Sequence, residues 1–222
     1  MGWHTPDVAH VQSPVIRWSA SPDLAALVDR WAAAARLPRD EAVELLIRSR
    51  LAKDDNAPAV QAWHAYRDGL TQTPGEVADT LAAARVTEHV VGVRMGPLRP
   101  EATPPPWARP GIGVDLDADA MTAWPQIRGL WRMRMRPTVL IGLRLGWAGW
   151  IYRVNGWEQD PQSGRSFASS GRAITAAGRL LDAESGVDVG EASASDMSIL
   201  TAIRRAPIIV PRSANPIVRL SR

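Results

Sequence analysis

Between residues 14 and 51 the chain changes its hydrophobic period twice. Val15, Arg17 and Ser19 alternate with Ile16, Trp18 and Ala20, the period of two expected of a strand with one buried face. Ser21-Pro22-Asp23 then sets a capping hydroxyl ahead of a proline at the first helical position. Leu24, Leu27, Val28 and Trp31 follow at helical spacing, and Arg36-Leu37-Pro38 breaks the pattern. A second helix opens at Arg39-Asp40-Glu41, where acidic side chains suit the positive end of the helix dipole. It places Ala42, Val43, Leu46 and Ile47 on one face and ends near Lys53-Asp54-Asp55-Asn56. The pattern predicts strand, helix, turn, helix. Such a short unit cannot close its own apolar faces, so a partner subunit is expected to cover them.

Residues 1–13 have little periodicity and read as a flexible arm; His4 and His10 lie in it as solvated side chains. Residues 57–85 read as a helical linker, with Val60, Trp63, His64 and Leu70 on one face, a break over Thr71 to Gly75, and a second helical segment from Glu76 to Arg85. From Val86 the texture becomes that of strands. His89 to Met95 is one strand, and a proline-rich loop follows from Gly96 to Gly113, too dense in proline for regular structure. A short helix is expected at Asp117 to Trp124. Val139 to Leu145 and Gly149 to Val154 form a hairpin around a Gly146-Trp147-Ala148 turn. Another turn is expected over Asn155 to Pro161 and a third strand at Gly164 to Ala168. Ala173 to Ser195 is small and polar enough to read as loop. Ser195 to Arg204 reads as helix, Ala206 to Val210 as strand, and Ser213 to Leu220 as a segment closing the sheet.

Composition narrows the uses of this pattern. The 222 residues are 45% hydrophobic and 22% charged, enough for a true core. Cysteine is absent, which excludes disulfides, thiolate metal sites and cysteine nucleophiles. Lys53 is the only lysine, so nearly all the positive charge is arginine, and the net charge is +3. The isoelectric point of about 10.1 permits nucleic acid as a partner without requiring it. No apolar run approaches the ~20 residues of a membrane span, and the N-terminus lacks the regions of a signal peptide, so a cytoplasmic protein is expected.

The segment Ile16-Arg17-Trp18, Pro22-Asp23-Leu24, Leu27-Val28 and then Arg39-Asp40-Glu41-Ala42-Val43 resembles the ribbon-helix-helix family of DNA-binding proteins, over about forty residues. The resemblance implies that two protomers pair their strands into a ribbon that enters the major groove of DNA. Ser13, Val15 and Arg17 would then face the bases, and Ile16 and Trp18 the dimer core. Arg17 is the strongest reader, since guanidinium pairs bidentately with guanine. Pro38, Arg39, Asp40 and Glu41 would present the second helix's amides to a phosphate. A helical hairpin used for dimerisation alone is the competing reading.

Residues 86–222, with Gly129-Leu130-Trp131-Arg132 before the hairpin, Val154-Asn155-Gly156-Trp157-Glu158 after it and Ser213-Ala214-Asn215-Pro216 near the end, distantly resemble PUA-like barrels of the ASCH and EVE kind. That implies a nucleic-acid or modified-base pocket. Trp131, Arg132, Trp147, Trp150, Tyr152 and Trp157 are its candidate lining, near Arg144 and Arg153; a tryptophan-rich core with arginines outside is the alternative. No Walker loop, His-Glu-x-x-His or Gly-x-Ser-x-Gly is present, and no catalytic residue, metal or cofactor is assigned. The whole reads as an α+β protein. An N-terminal ribbon-helix-helix unit (14–56), intertwined as a dimer, and a helical linker (57–85) precede a curved sheet or small barrel with short helices (86–222). The expected function is a dimeric, sequence-specific regulator binding double-stranded DNA, with a C-terminal domain that takes a ligand or nucleic acid. The alternatives are a modified-base reader or nuclease acting through that domain, and a partition or antitoxin-type assembly protein.

Overall fold

The computed structural model describes residues 21–51, 58–100, 111–115, 118–129, 131–132, 135–210 and 216–221. The alternating segment before Ser21, including Ser13, Val15 and Arg17, lies outside the described residues.

Helix α1 (Pro22–Ala35) starts where the capping pattern predicts, with the Ser21 hydroxyl accepting the Leu24 N–H at 3.3 Å. It ends at Arg36, which takes a left-handed conformation (φ 56°) and turns its N–H back to the carbonyls of Ala32 and Ala33. Helix α2 (Arg39–Leu51) then folds back against α1. Helices α3 (Pro58–Arg67) and α4 (Pro74–Ala83) follow. The break between them is sharp because Thr73 and Glu76 form a reciprocal capping box.

The remaining elements are β1 (Val90–Arg94), the small ribbon β2 (Arg99–Pro100) with β3 (Gly111–Ile112), α5 (Ala120–Ile127), β4 (Val139–Arg144), β5 (Trp147–Gln159), β6 (Ser166–Ile174), β7 (Arg179–Asp182), β8 (Asp188–Glu191), α6 (Ala194–Arg204) and β9 (Ile217–Arg219). Seven strands form one mixed sheet in the order β8-β7-β6-β5-β4-β1-β9. Among the described strands of this sheet only β1 and β4 pair in parallel, and α5 lies in the crossover between them. Strand alternation sorts the core into two layers. Val90, Val139, Ile141, Leu143 and Ile151 face Val77 and Leu81 of α4 and Ile199 and Ile203 of α6. Val91, Val93, Leu140, Trp150 and Tyr152 face Ala123, Trp124 and Ile127 of α5. Helices therefore cover both faces of the sheet.

The protein is mixed α+β, as expected, but its sheet is open rather than a closed barrel. Apolar side chains on both faces of β1 and β4 explain why: helices bury them, so the sheet gains nothing by curling on itself. Ala173 to Ser195 is not a loop; it contains β7 and β8, two short strands at the sheet edge, with Leu180 of β7 buried in the core. Asn155 to Gln159 continues β5 through an irregularity at Gly156, and the chain turns later, at Asp160 to Gly164. Ile208 makes only an isolated bridge with Gln72, so Ala206 to Val210 is not a strand of the sheet.

The β4–β5 turn also sits earlier than its glycine suggests. Leu145 and Gly146 both have positive φ, 55° and 83°, the combination a tight primed hairpin turn requires. Leucine is costly in that conformation, and its packing offsets the strain. Its side chain is 3% exposed and joins Trp31, Ala32 and Ala35 of α1, Ala42 of α2 and Ala62 of α3. Trp31 meets Trp63 edge-on, with ring centroids 5.6 Å apart. The α1–α2 hairpin thus buries much of its apolar surface within its own chain, where a partner subunit was expected to do so. Leu24 and Ile47, expected to be buried, remain 41% and 47% exposed. No helix among the described residues is long and apolar enough to cross a membrane.

Candidate functional site

The carboxyl ends of the parallel strands β1 and β4 carry Arg94 and Arg144, and the α1–α2 hairpin docks beside them. In open sheets with parallel strands, ligand crevices form at this end. The left-handed turn at Arg36 brings its guanidinium across to the sheet, where Nη1 donates to the Arg94 carbonyl at 3.0 Å. A cleft of about 630 Å³ opens here, lined by Arg36, Arg94, Arg99, Gln126 and Trp131 among others. A second hollow of about 430 Å³ shares Arg36, Pro38 and Arg94 with it and reaches Asp29 and Arg39. Gly113 lets the backbone close in as one wall: its φ is +98°, and a β-carbon there would stand 2.1 Å from the Pro97 carbonyl oxygen.

Positive charge is concentrated in this region with limited access to water. Burial holds the Arg36 guanidinium below its ordinary value. Burial does the same to Arg94, and the charge of Arg36 adds to the effect. Arg144 is likewise lowered by burial, against the opposing pull of Glu41 and Asp115. Its Nε and Nη1 are buried with no hydrogen-bond partner among the described residues. Gln126 is 2% exposed, and its Oε1 also lacks a partner there. Buried polar atoms of this kind call for an explanation.

The residues expected to meet a DNA phosphate stand at the start of α2, and two of them are engaged within the chain. Arg39 pairs with Asp29 at 3.1 Å, and Glu41 accepts from Arg99 at 3.2 Å. The Pro38 carbonyl accepts the Ala42 N–H at 2.9 Å, and Asp40 is exposed.

The six candidate pocket residues do not converge. Trp150 and Tyr152 are core, their polar tips donating to the carbonyls of Ala118 (2.8 Å) and Ala120 (2.6 Å). Burial, with Asp119 nearby, pushes the Tyr152 hydroxyl well above its ordinary value. Trp157 is half-buried and donates to the Pro137 carbonyl at 3.0 Å. Trp147 lies at the far end of β5 against the helical hairpin, and Arg132 is exposed. Trp131 alone lines the cleft, its indole N–H fixed on the Ile127 carbonyl at 2.8 Å. Arg153 points elsewhere, into an ion-pair cluster with Glu88 and Asp196. Sequence reasoning missed Arg36, Arg94, Arg99 and Gln126. Arg36 read as part of a helix break and Arg94 as a strand end, and neither carries a local signal of a site.

Comparison with protein-family models, curated proteins and solved structures finds no match to this chain.

Proposed function

We propose that the protein is a dimeric, sequence-specific DNA-binding regulator in which residues 14–51 act as a ribbon-helix-helix unit carried on the sheet domain. The observation that carries this reading is the α1–α2 hairpin: a serine-capped helix, a left-handed arginine and a second helix, directly after a segment of strand-like alternation. Leu24 and Ile47 add support, since a second copy would cover apolar side chains that one chain leaves in water. Arg17 supplies the principal base contact through guanine, and the start of α2 lies against the backbone. The sheet domain then holds the hairpin through Leu145 and offers a separate surface for a ligand.

Sites selected from genomic DNA with the full-length protein at physiological salt provide the probe. Arg17→Ala should abolish binding to the selected site in an electrophoretic titration while leaving the thermal unfolding curve in place. Affinity of the parent should fall steeply with salt, as phosphate neutralisation demands. Undiminished binding by Arg17→Ala would refute the ribbon assignment.

A further inference from the structure

The cleft between the α1–α2 hairpin and the sheet has cationic, apolar and amide walls. Among the described residues the Arg36 guanidinium makes one hydrogen bond, to a backbone carbonyl, and no carboxylate pairs with it. Arg94 lies in the same cleft, 5% exposed, with a like charge beside it. An anion seated against the Arg36 guanidinium, where access to water is limited, would accept charge-assisted hydrogen bonds. Trp131 supplies a flat aromatic wall whose N–H is already engaged, so what it offers a ligand is its ring. Gln126 on α5 brings an amide oxygen with no donor among the described residues, which a ligand N–H or hydroxyl would satisfy. About 630 Å³ lies within the range of small-ligand sites.

We propose that this cleft binds a nucleoside phosphate, with the phosphate between Arg36 and Arg94 and the base between Trp131 and Gln126. The three recognition elements match the three parts of such a molecule: anion, π-face and hydrogen-bonding edge. A bare phosphate would leave Trp131 and Gln126 unused. A DNA backbone fits less well, because Arg94 and Gln126 are deeply buried and a duplex phosphate reaches only exposed groups. Arg36 belongs to the hairpin and Arg94 to β1, so a bound nucleotide bridges the two and resists their separation.

The test is calorimetric titration of the full-length protein with adenosine and guanosine mono-, di- and triphosphates, the matching nucleosides, inorganic phosphate and duplex DNA. At least one nucleotide should bind with one-to-one stoichiometry and raise the melting temperature, with its nucleoside and inorganic phosphate each weaker by about tenfold or more. Arg36→Asn keeps a residue that tolerates the left-handed turn; it should weaken the nucleotide by about tenfold or more and leave nucleoside binding unchanged. Gln126→Met should weaken the nucleotide and leave inorganic phosphate unchanged. The proposal is overturned if no nucleotide binds, if phosphate alone binds as tightly as the nucleotide, or if both variants bind as the parent does. Loss of duplex affinity in Arg36→Asn without any nucleotide binding would assign the cleft to nucleic-acid backbone instead, and equally overturns it.

Discussion

Removing Arg153 tests the account of how the sheet, α6 and the entry to β1 are joined. From β5 its Nε donates to Asp196 Oδ1 at 2.7 Å and its Nη2 to Glu88 Oε1 at 2.9 Å. Asp196 is the third residue of α6, and its other oxygen accepts the Ser193 N–H (2.9 Å) and hydroxyl (2.7 Å) in a capping box. Glu88 is fixed by the Ser195 hydroxyl at 2.8 Å. The Asp196 side chain is 2% exposed, so Arg153→Met leaves a carboxylate in the interior without its counter-charge. Breaking a fully buried pair in this way costs about 3–5 kcal/mol. Arg153 itself is 27% exposed and Ser193 still satisfies one oxygen, so water and the cap reduce the expected loss to about 2–3 kcal/mol. For a chain of this size that corresponds to a fall in Tm of roughly 4–12 °C. Arg153→Met combined with Asp196→Asn should recover about half the loss, because the asparagine keeps the cap and removes the stranded charge. Urea unfolding followed by circular dichroism at neutral pH measures all three proteins. A single variant within about 0.5 kcal/mol of the parent, the ordinary scatter of surface substitutions, would show that the cluster does not carry this energy.

Three further outcomes follow from other parts of the fold. Gly142→Ala in β4 should destabilise by about 1–3 kcal/mol, since the added β-carbon would stand 2.4 Å from Ile127 Cδ1 and 3.0 Å from Trp150; the matching change at exposed Gly149, with open space around it, should be far milder in the same urea titration. Leu145→Asn relieves a left-handed backbone but withdraws the side chain that holds the helical hairpin, so limited proteolysis should cut α1–α3 ahead of the sheet, and uniform resistance would refute that role for Leu145. Burial pushes the Glu88 carboxyl up, yet the hydrogen bonds from Arg153 and Ser195 outweigh it and hold the group below its ordinary value. Its contribution is therefore present above the ordinary glutamate range and lost as pH falls through the folded value; acid titration of stability should be flatter in Arg153→Met, and parallel curves would contradict the assignment.

The sequence by itself determined the elements whose information is local. The Ser21 cap, the break at Arg36-Leu37-Pro38, the capping box ahead of α4, the β-branched runs of β1 and β4 and the helical spacing of α6 are each set by residues within a few positions of one another. The same locality hid β7 and β8, four residues each and too short to show a period, which become strands because β6 lends its free edge to β7, Leu180 enters the core, and β7 in turn pairs with β8. It hid the turn at Leu145 too, since a leucine is held in a left-handed conformation only when Trp31 and Ala35, more than a hundred residues earlier in the chain, receive its side chain. The arginine-lined cleft belongs wholly to the tertiary structure. Arg36, Arg94 and Gln126 carry no local signal of a site, and the parallel pairing of β1 with β4 and the docking of the helical hairpin bring them together. Local pattern specifies which backbone groups can satisfy each other nearby; the site depends on charges that meet only after the two apolar faces of the sheet are covered.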